Sequence, residues 1–93
     1  MDTQNDMVRA DRKMLEDLRR GKAVVGVKQL KKALASGKAV RVFLAEDADP
    51  ALTDPIAALC RQSHIECAWV SSMKDLGNAC GIDVGAAAAA AVA

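Results

Sequence analysis

Ninety-three residues suffice for one domain with a thin core, of the kind made by one sheet covered by helices. The 52% apolar content overstates that core, because nineteen of those residues are alanine and the aromatics are Phe43 and Trp69 alone. No stretch reaches the length of a membrane span, and the early acids Asp2 and Asp6 are foreign to a signal peptide. Three cysteines in apolar surroundings fit reduced, buried thiols of a cytoplasmic protein better than a disulfide framework.

Residues 1–6 are polar and expected to be disordered. A helix is predicted from about Asp6 to Arg20, with Met7, Met14, Leu15 and Leu18 as its apolar stripe. Arg19 and Arg20 suit its last turn and Gly21 stops it. Ala23-Val24-Val25 is a short strand candidate. Gly26 ends that strand and opens a second helix reaching about Ser36, with Val27, Leu30 and Leu34 inward, Lys28, Lys31 and Lys32 outward, and Gly37 closing it.

Val40 to Ala45 is nearly continuous in apolar residues, which suggests a central strand covered on both faces. The acidic turn Glu46-Asp47-Ala48-Asp49-Pro50 follows. Asp54-Pro55 then reads as an N-cap and first helical residue, so a third helix is expected over 54–63, burying Ile56, Leu59 and Cys60. Ile65 to Val70 is a further strand. Ser72-Met73-Lys74-Asp75 resembles a capping box with Asp in place of Glu, opening a helix with Leu76, Ala79 and Cys80 on its inner face and Gly81 at its end. Read by propensity alone, residues 86–93 are helical, yet small side chains also suit a central strand pressed between helices. The alternation of helices and strands predicts an α/β fold, a three-layer α/β/α sandwich with a small mixed four-stranded sheet, formed by residues 1–93 as a single domain.

A net charge of +1 conceals a strong asymmetry. Between Leu18 and Ala45 lie eight basic residues (Arg19, Arg20, Lys22, Lys28, Lys31, Lys32, Lys38 and Arg41) and no acid. A polyanion responds to local field, so a nucleic acid would dock on this stretch. At its centre is Gly26-Val27-Lys28-Gln29-Leu30-Lys31-Lys32. Glycine lets a backbone approach closely, and free N–H groups at a helix N-terminus attract phosphate. Lys28 and Gln29 are long enough to reach guanine edges, and Lys32, one turn on, to neutralise a phosphate. The plainer alternatives are a solvated lysine face, or a protein-interaction or assembly module whose basic helix meets an acidic partner.

Three motifs occur in order: Gly26 to Lys32, Ala45-Glu46-Asp47-Ala48-Asp49-Pro50, and Leu76-Gly77-Asn78-Ala79-Cys80-Gly81-Ile82-Asp83-Val84. Together they resemble the L-seven-Ae ribosomal protein family, which binds kink-turn RNA, and especially its short bacterial branch, where the helix-opening motif reads Gly-Thr-Lys-Gln. The resemblance covers roughly residues 8–93. It implies that the alanine tail is a sheet strand. It also implies recognition of a sharp duplex bend built on tandem sheared G·A pairs, with the helix after Gly26 entering the RNA groove.

The RNA-binding residues so implied are Gly26, Val27, Lys28, Gln29 and Lys32, with Lys31 beside them on the basic face. A second surface corresponds to Ile82, Asp83 and Val84. Asp49, an acid before Pro, holds the position that helps form a pocket for a flipped-out nucleotide in some members. Lys28 and Gln29 replace the Asn and Glu of the archaeal and eukaryotic motif, which predicts a larger electrostatic share of affinity and a stronger salt dependence. Val27 replaces the bacterial Thr, removing a hydroxyl donor. Met73 stands where some members place a pocket-lining Lys, with Lys74 next to it. The implied partner is a structured RNA, a ribosomal or riboswitch kink-turn, bound by a cytoplasmic, non-catalytic monomer that needs no cofactor and no metal.

Other chemistry finds little support. Glu46, Asp47 and Asp49 read as a turn whose carboxylates bond nearby backbone N–H groups rather than as a cation site. Cys60, His64, Cys67 and Cys80 suggest zinc, but on a helix over 54–63 Cys60 faces the core and His64 the helix end, so the ligands diverge. A Cys60–His64 nucleophile would need a third orienting group and a cleft, which nothing marks. No phosphate-loop or dinucleotide fingerprint is present. Trp69 reads as core.

Overall fold

The computed structural model describes residues 8–20 and 22–92. The expected disorder of residues 1–6 and the helix stop at Gly21 fall outside the described residues. The elements run β1 (Val8–Arg9), α1 (Arg12–Arg20), β2 (Lys22–Val25), α2 (Val27–Ala35), β3 (Ala39–Ala45), α3 (Pro50–Ser63), β4 (Glu66–Val70), α4 (Met73–Cys80) and β5 (Ala88–Val92). The strands form one mixed sheet in the order β1-β4-β3-β5-β2. β1, β4 and β3 are parallel, and β5 is antiparallel to both β3 and β2.

The sheet therefore has five strands, not the four expected. The additional one is β1, where Val8 and Arg9 pair with Ala68 and Trp69 and the Ala10 N–H donates to the Trp69 carbonyl at 2.8 Å. It occupies sequence assigned above to the first helix. That helix starts only at Arg12, because Asp11 caps it: its carboxylate accepts the Met14 N–H at 2.9 Å and its carbonyl the Leu15 N–H at 3.1 Å.

Helices cover both faces of the sheet. Leu18 of α1 and Leu76 and Ala79 of α4 pack on Phe43, Ala45, Ala68, Val70 and Ala89. On the other face Leu30 and Ala33 of α2 and Ile56 and Cys60 of α3 pack on Val42, Leu44, Ala88 and Ala90. Successive residues of β3 thus enter opposite cores, which is why its sequence is apolar throughout. Phe43, Leu30, Leu44, Ile56 and Leu76 are wholly buried. Each contributes about 1.5–3 kcal/mol of burial. Val40, expected under cover, is 59% exposed instead. It lies at a register shift between Ala39 and Arg41, a bulge that releases it from pairing with β5.

The alanine tail is a strand. Ala88 to Ala91 lie between β3 and β2 with helices above and below, and all four are buried. Two paired neighbours and two covered faces outweigh the helix propensity of alanine. The start of α3 also departs from expectation. Asp49, not Asp54, is its N-cap, and Pro50 occupies the first turn. The Asp49 carbonyl accepts the N–H groups of Leu52 at 2.8 Å and Thr53 at 3.3 Å, and the early start buries Thr53 together with Ile56. Pro55 is accommodated inside the helix on its exposed side, where the carbonyl left without a helix donor is within reach of water.

Candidate nucleic-acid interface

Val25 pairs with Ala89, Leu44 with Ala88, and Ala45 with Val70, so β2, β3 and β4 all end at the same end of the sheet, where β5 begins. The first turns of α2, α3 and α4 and the segment 82–87 gather on this rim.

α2 starts there without a side-chain cap, from Gly26 at φ 102° and ψ 152°. Its N–H is anchored on the Ala88 carbonyl at 3.0 Å, and its own carbonyl accepts the Leu30 N–H at 3.0 Å. The N–H groups of Val27, Lys28 and Gln29 precede that first intrahelical bond and point out of the helix end. A Cβ at Gly26 would meet nothing within 4 Å, so it is the backbone angle that demands glycine, and the space over it is open.

Val27 packs inward against the α2/α3 core, so it presents its N–H rather than its side chain. Lys28, Gln29, Lys31 and Lys32 are exposed. Gln29 and Lys32 border a groove of about 430 Å³ between α2 and the edge strand β2, which Lys22, Ser36 and Lys38 also line and Val24 and Val92 floor. No acid lines it. Lys22, Lys28, Lys31, Lys32 and Lys38 make no ion pair with a described residue.

Two groups of the basic run lie apart from this patch. Arg41 is on the α1 face of the sheet, paired with Asp17 at 3.1 Å and with Glu66. Arg19 and Arg20 end α1, on the opposite face. The link between Lys22, Lys38 and α2 was missed in the sequence, because it depends on β2 lying at the sheet edge, which no local pattern reveals.

The third motif reaches the same rim. Ile82 packs against the α1/α4 core and its N–H donates to the Gly77 carbonyl at 3.1 Å. Asp83 and Val84 are exposed, Val84 to 69%. The segment then runs back along α4. A Cβ on Gly77 would strike the Val84 carbonyl oxygen, and the Ala86 N–H donates to the Met73 carbonyl at 3.0 Å. Asp83 and Val84 are thereby held out on a supported loop. Met73 and Lys74 are exposed at the start of α4.

The acidic turn is engaged within the fold, as its sequence suggested. Glu46 pairs with Arg9 at 2.8 Å. Asp47 accepts the Met73 N–H at 2.8 Å, and Ser72 Oγ accepts the Asp75 N–H at 3.0 Å, so α4 is capped twice. The Asp75 carboxylate in turn accepts the Ser71 hydroxyl at 2.9 Å. Asp49 accepts the Ala51 N–H at 3.0 Å and caps α3.

The thiols divide between the faces, Cys60 and Cys67 with α2 and α3, Cys80 with α1 and α4. His64 is exposed at the end of α3. The divergence expected of the four candidate ligands thus holds for His64 and Cys80, whereas Cys60 and Cys67 face the same core. Among the described residues no three His, Cys, Asp or Glu side chains are placed to hold a metal ion. No helix is long and apolar enough to cross a membrane among them.

The sequence profile of the "Ribosomal protein L7Ae/L30e/S12e/Gadd45 family" matches residues 9–93. The chain is 48% identical to an RNA-binding protein of Geobacillus sp. (strain WCH70), over 81% of this chain and 92% of that one. It is 39% identical to the large ribosomal subunit protein eL8 of Halobacterium salinarum, over 78% of this chain and 62% of the other. Among solved structures, the Giardia lamblia 15.5kD RNA binding protein superposes with a TM-score of 0.82 at 23% identity, covering 91% of this chain and 78% of that one. At that identity the likeness is one of fold.

Proposed function

Because the chain belongs to the L7Ae/L30e/S12e/Gadd45 family, we propose that it is an RNA-binding protein of the ribosomal-protein type and that its target is a kink-turn. The observation that carries this reading is the open start of α2: a glycine with free space above it, outward N–H groups, and exposed Lys28 and Gln29 on one rim with the Asp83-Val84 loop. The N–H groups of Val27 to Gln29 receive phosphate or base oxygens at the bend, and Lys28 and Gln29 take guanine edges. Lys32 neutralises a phosphate, with Lys31 adding to the field, and the strand leaving the bend follows the lysine groove beside β2. Ile82 supports the loop from beneath, while Asp83 and Val84 meet the stem and its unpaired bases. Asp49 borders the flipped nucleotide with its cap of α3 intact.

No group on this rim needs to react. The protein traps the kinked conformer by binding it more tightly than the extended one. It acts as a cytoplasmic monomer on a ribosomal or riboswitch RNA.

The test is a titration of a kink-turn RNA against the same RNA with its G·A pairs replaced by Watson–Crick pairs, at low and at physiological salt. A preference for the kinked RNA that survives higher salt is expected. Equal binding to both that vanishes with salt would reduce the α2 patch to a polyanion surface and favour an acidic protein partner.

A further inference from the structure

We propose that the groove between α2 and β2 is a site for unpaired nucleotides, so that the RNA taken is a bend with a single-stranded continuation rather than one closed by duplex on both sides. This rests on the kink-turn reading above and carries the contact past the bend. The groove continues directly from the rim. Gln29, in the first turn of α2, is followed by Lys32, Ala33 and Ser36 at helical spacing, and together they form one wall. Lys22 and Val24, two apart on the edge strand β2, form the other. At the far end Lys22 is in register with Val92. Gly37 turns the chain at φ 74°, and the Lys38 N–H donates to the Ala33 carbonyl at 3.0 Å, which sets Lys38 against the end of α2. Gln29 to Ser36 spans about 10 Å of helix, and a stacked strand advances about 3.4 Å per phosphate, so the groove holds about three nucleotides.

Charge and shape choose the occupant. Lys32 stands on one wall, Lys22 on the other and Lys38 at the far end, with no acid among them. A helix C-terminus carries about half a negative charge, which by itself would turn a phosphate away. Lys32 in the last turn of α2 and Lys38 just past it reverse that field. A backbone lying between the walls has cations on both sides of it. A duplex cannot enter a groove of about 430 Å³ between one helix and one strand. The floor of Val24, Ala33 and Val92 is aliphatic, and it accepts the ribose and base edges that only an unpaired strand exposes. Single-strand sites usually add aromatic platforms on which bases stack. No aromatic side chain lines this groove, so it holds the strand by its phosphates and is tolerant of sequence.

The experiment starts from a kink-turn RNA that ends blunt just past its G·A pairs. It is compared with the same RNA carrying three unpaired uridines on one strand end, then on the other, and with one lengthened by three base pairs. Uridines on one of the two ends should tighten binding about tenfold at about 50 mM salt and steepen the salt slope by about 1.4 units, the share of two single-strand phosphates. In the double variant Lys22→Ala/Lys38→Ala that gain should vanish, with thermal unfolding to show that the variant is folded. No gain from either end, an equal gain from added base pairs, or a gain that the folded double variant keeps would overturn the site, while the preference for kinked RNA would stand. The opposite result, a uridine gain on the Watson–Crick version as large as on the kinked one and no preference between them, would sink the kink-turn reading and leave the groove a single-strand site. The wild-type arms decide even if the variant does not fold.

Discussion

Three helices begin on one rim of the sheet, and they begin differently. α3 is closed by the Asp49 carboxylate, and α4 by Asp47 and Ser72. α2 has no side-chain cap, starts from a glycine, and has no acid in its first turn. A helix N-terminus carries about half a positive charge. In α3 and α4 a carboxylate of the fold answers it, while in α2 the exposed Lys28 adds to it. A helix left this way is less stable than it need be, unless an external anion completes it. The contrast sets two helix starts closed by the fold against one left open, although all three share a location.

The sharpest way to break the contrast is Gly26→Val. The backbone angle at this position is closed to L-residues, so the variant should lose about 1–3 kcal/mol of stability. Its side chain also enters the open space over α2, so RNA affinity should fall more than tenfold even where the variant is folded. Thermal unfolding and filter binding read the two effects separately, and unchanged affinity would move the contact away from Gly26. Lys28→Ala should cost about 1–3 kcal/mol of RNA binding with stability unchanged, if its ammonium reads a base edge. An unaltered Kd would remove it from the site.

On the capped side, Asp49→Ala should cost about 1 kcal/mol of folding stability, measured by urea denaturation. Asp49→Asn keeps the cap and deletes the charge, so a change in RNA affinity without a change in unfolding midpoint would mark Asp49 as an RNA contact. Identical affinities would leave it a cap and nothing more. The smallest effect belongs to Lys32→Ala, expected to shallow the plot of log affinity against log salt by about one unit. A slope that does not move would mean that Lys32 touches no phosphate.

What could be read in the sequence was local. The start of α4 was legible because Ser72 and Asp75 carry their own capping chemistry, and β3 because it is apolar on both faces. The start of α3 was misplaced because Asp49-Pro50 and Asp54-Pro55 carry the same signal. What decides between them is burial of Thr53 with Ile56, a tertiary fact. β1 is two residues long, too short for any periodicity, and Met7 and Met14 drew the helix across it. The alanine strand contradicts its own propensity; its small side chains left a strand open, and family resemblance decided between the two. Of the site, the Gly26–Lys32 motif was visible as charge and spacing. That Arg41 belongs to the other face of the sheet, or that Cys67 shares a core with Cys60, depends on strand order and pleat, and these are not written in any one segment.

The position of β5 has a consequence for synthesis. β2 is joined to the sheet by β5 alone, and the Gly26 N–H that seats α2 is held by the Ala88 carbonyl. Yet β5 is translated after every other described element. At about 5–20 residues per second, β2 waits several seconds for the one strand that pairs with it. The seat of α2 is thus completed only when the small side chains of β5 pair with β3 on one side and gather β2 on the other. A nascent chain stalled before Ala88 would carry the lysines without the seat that orients them.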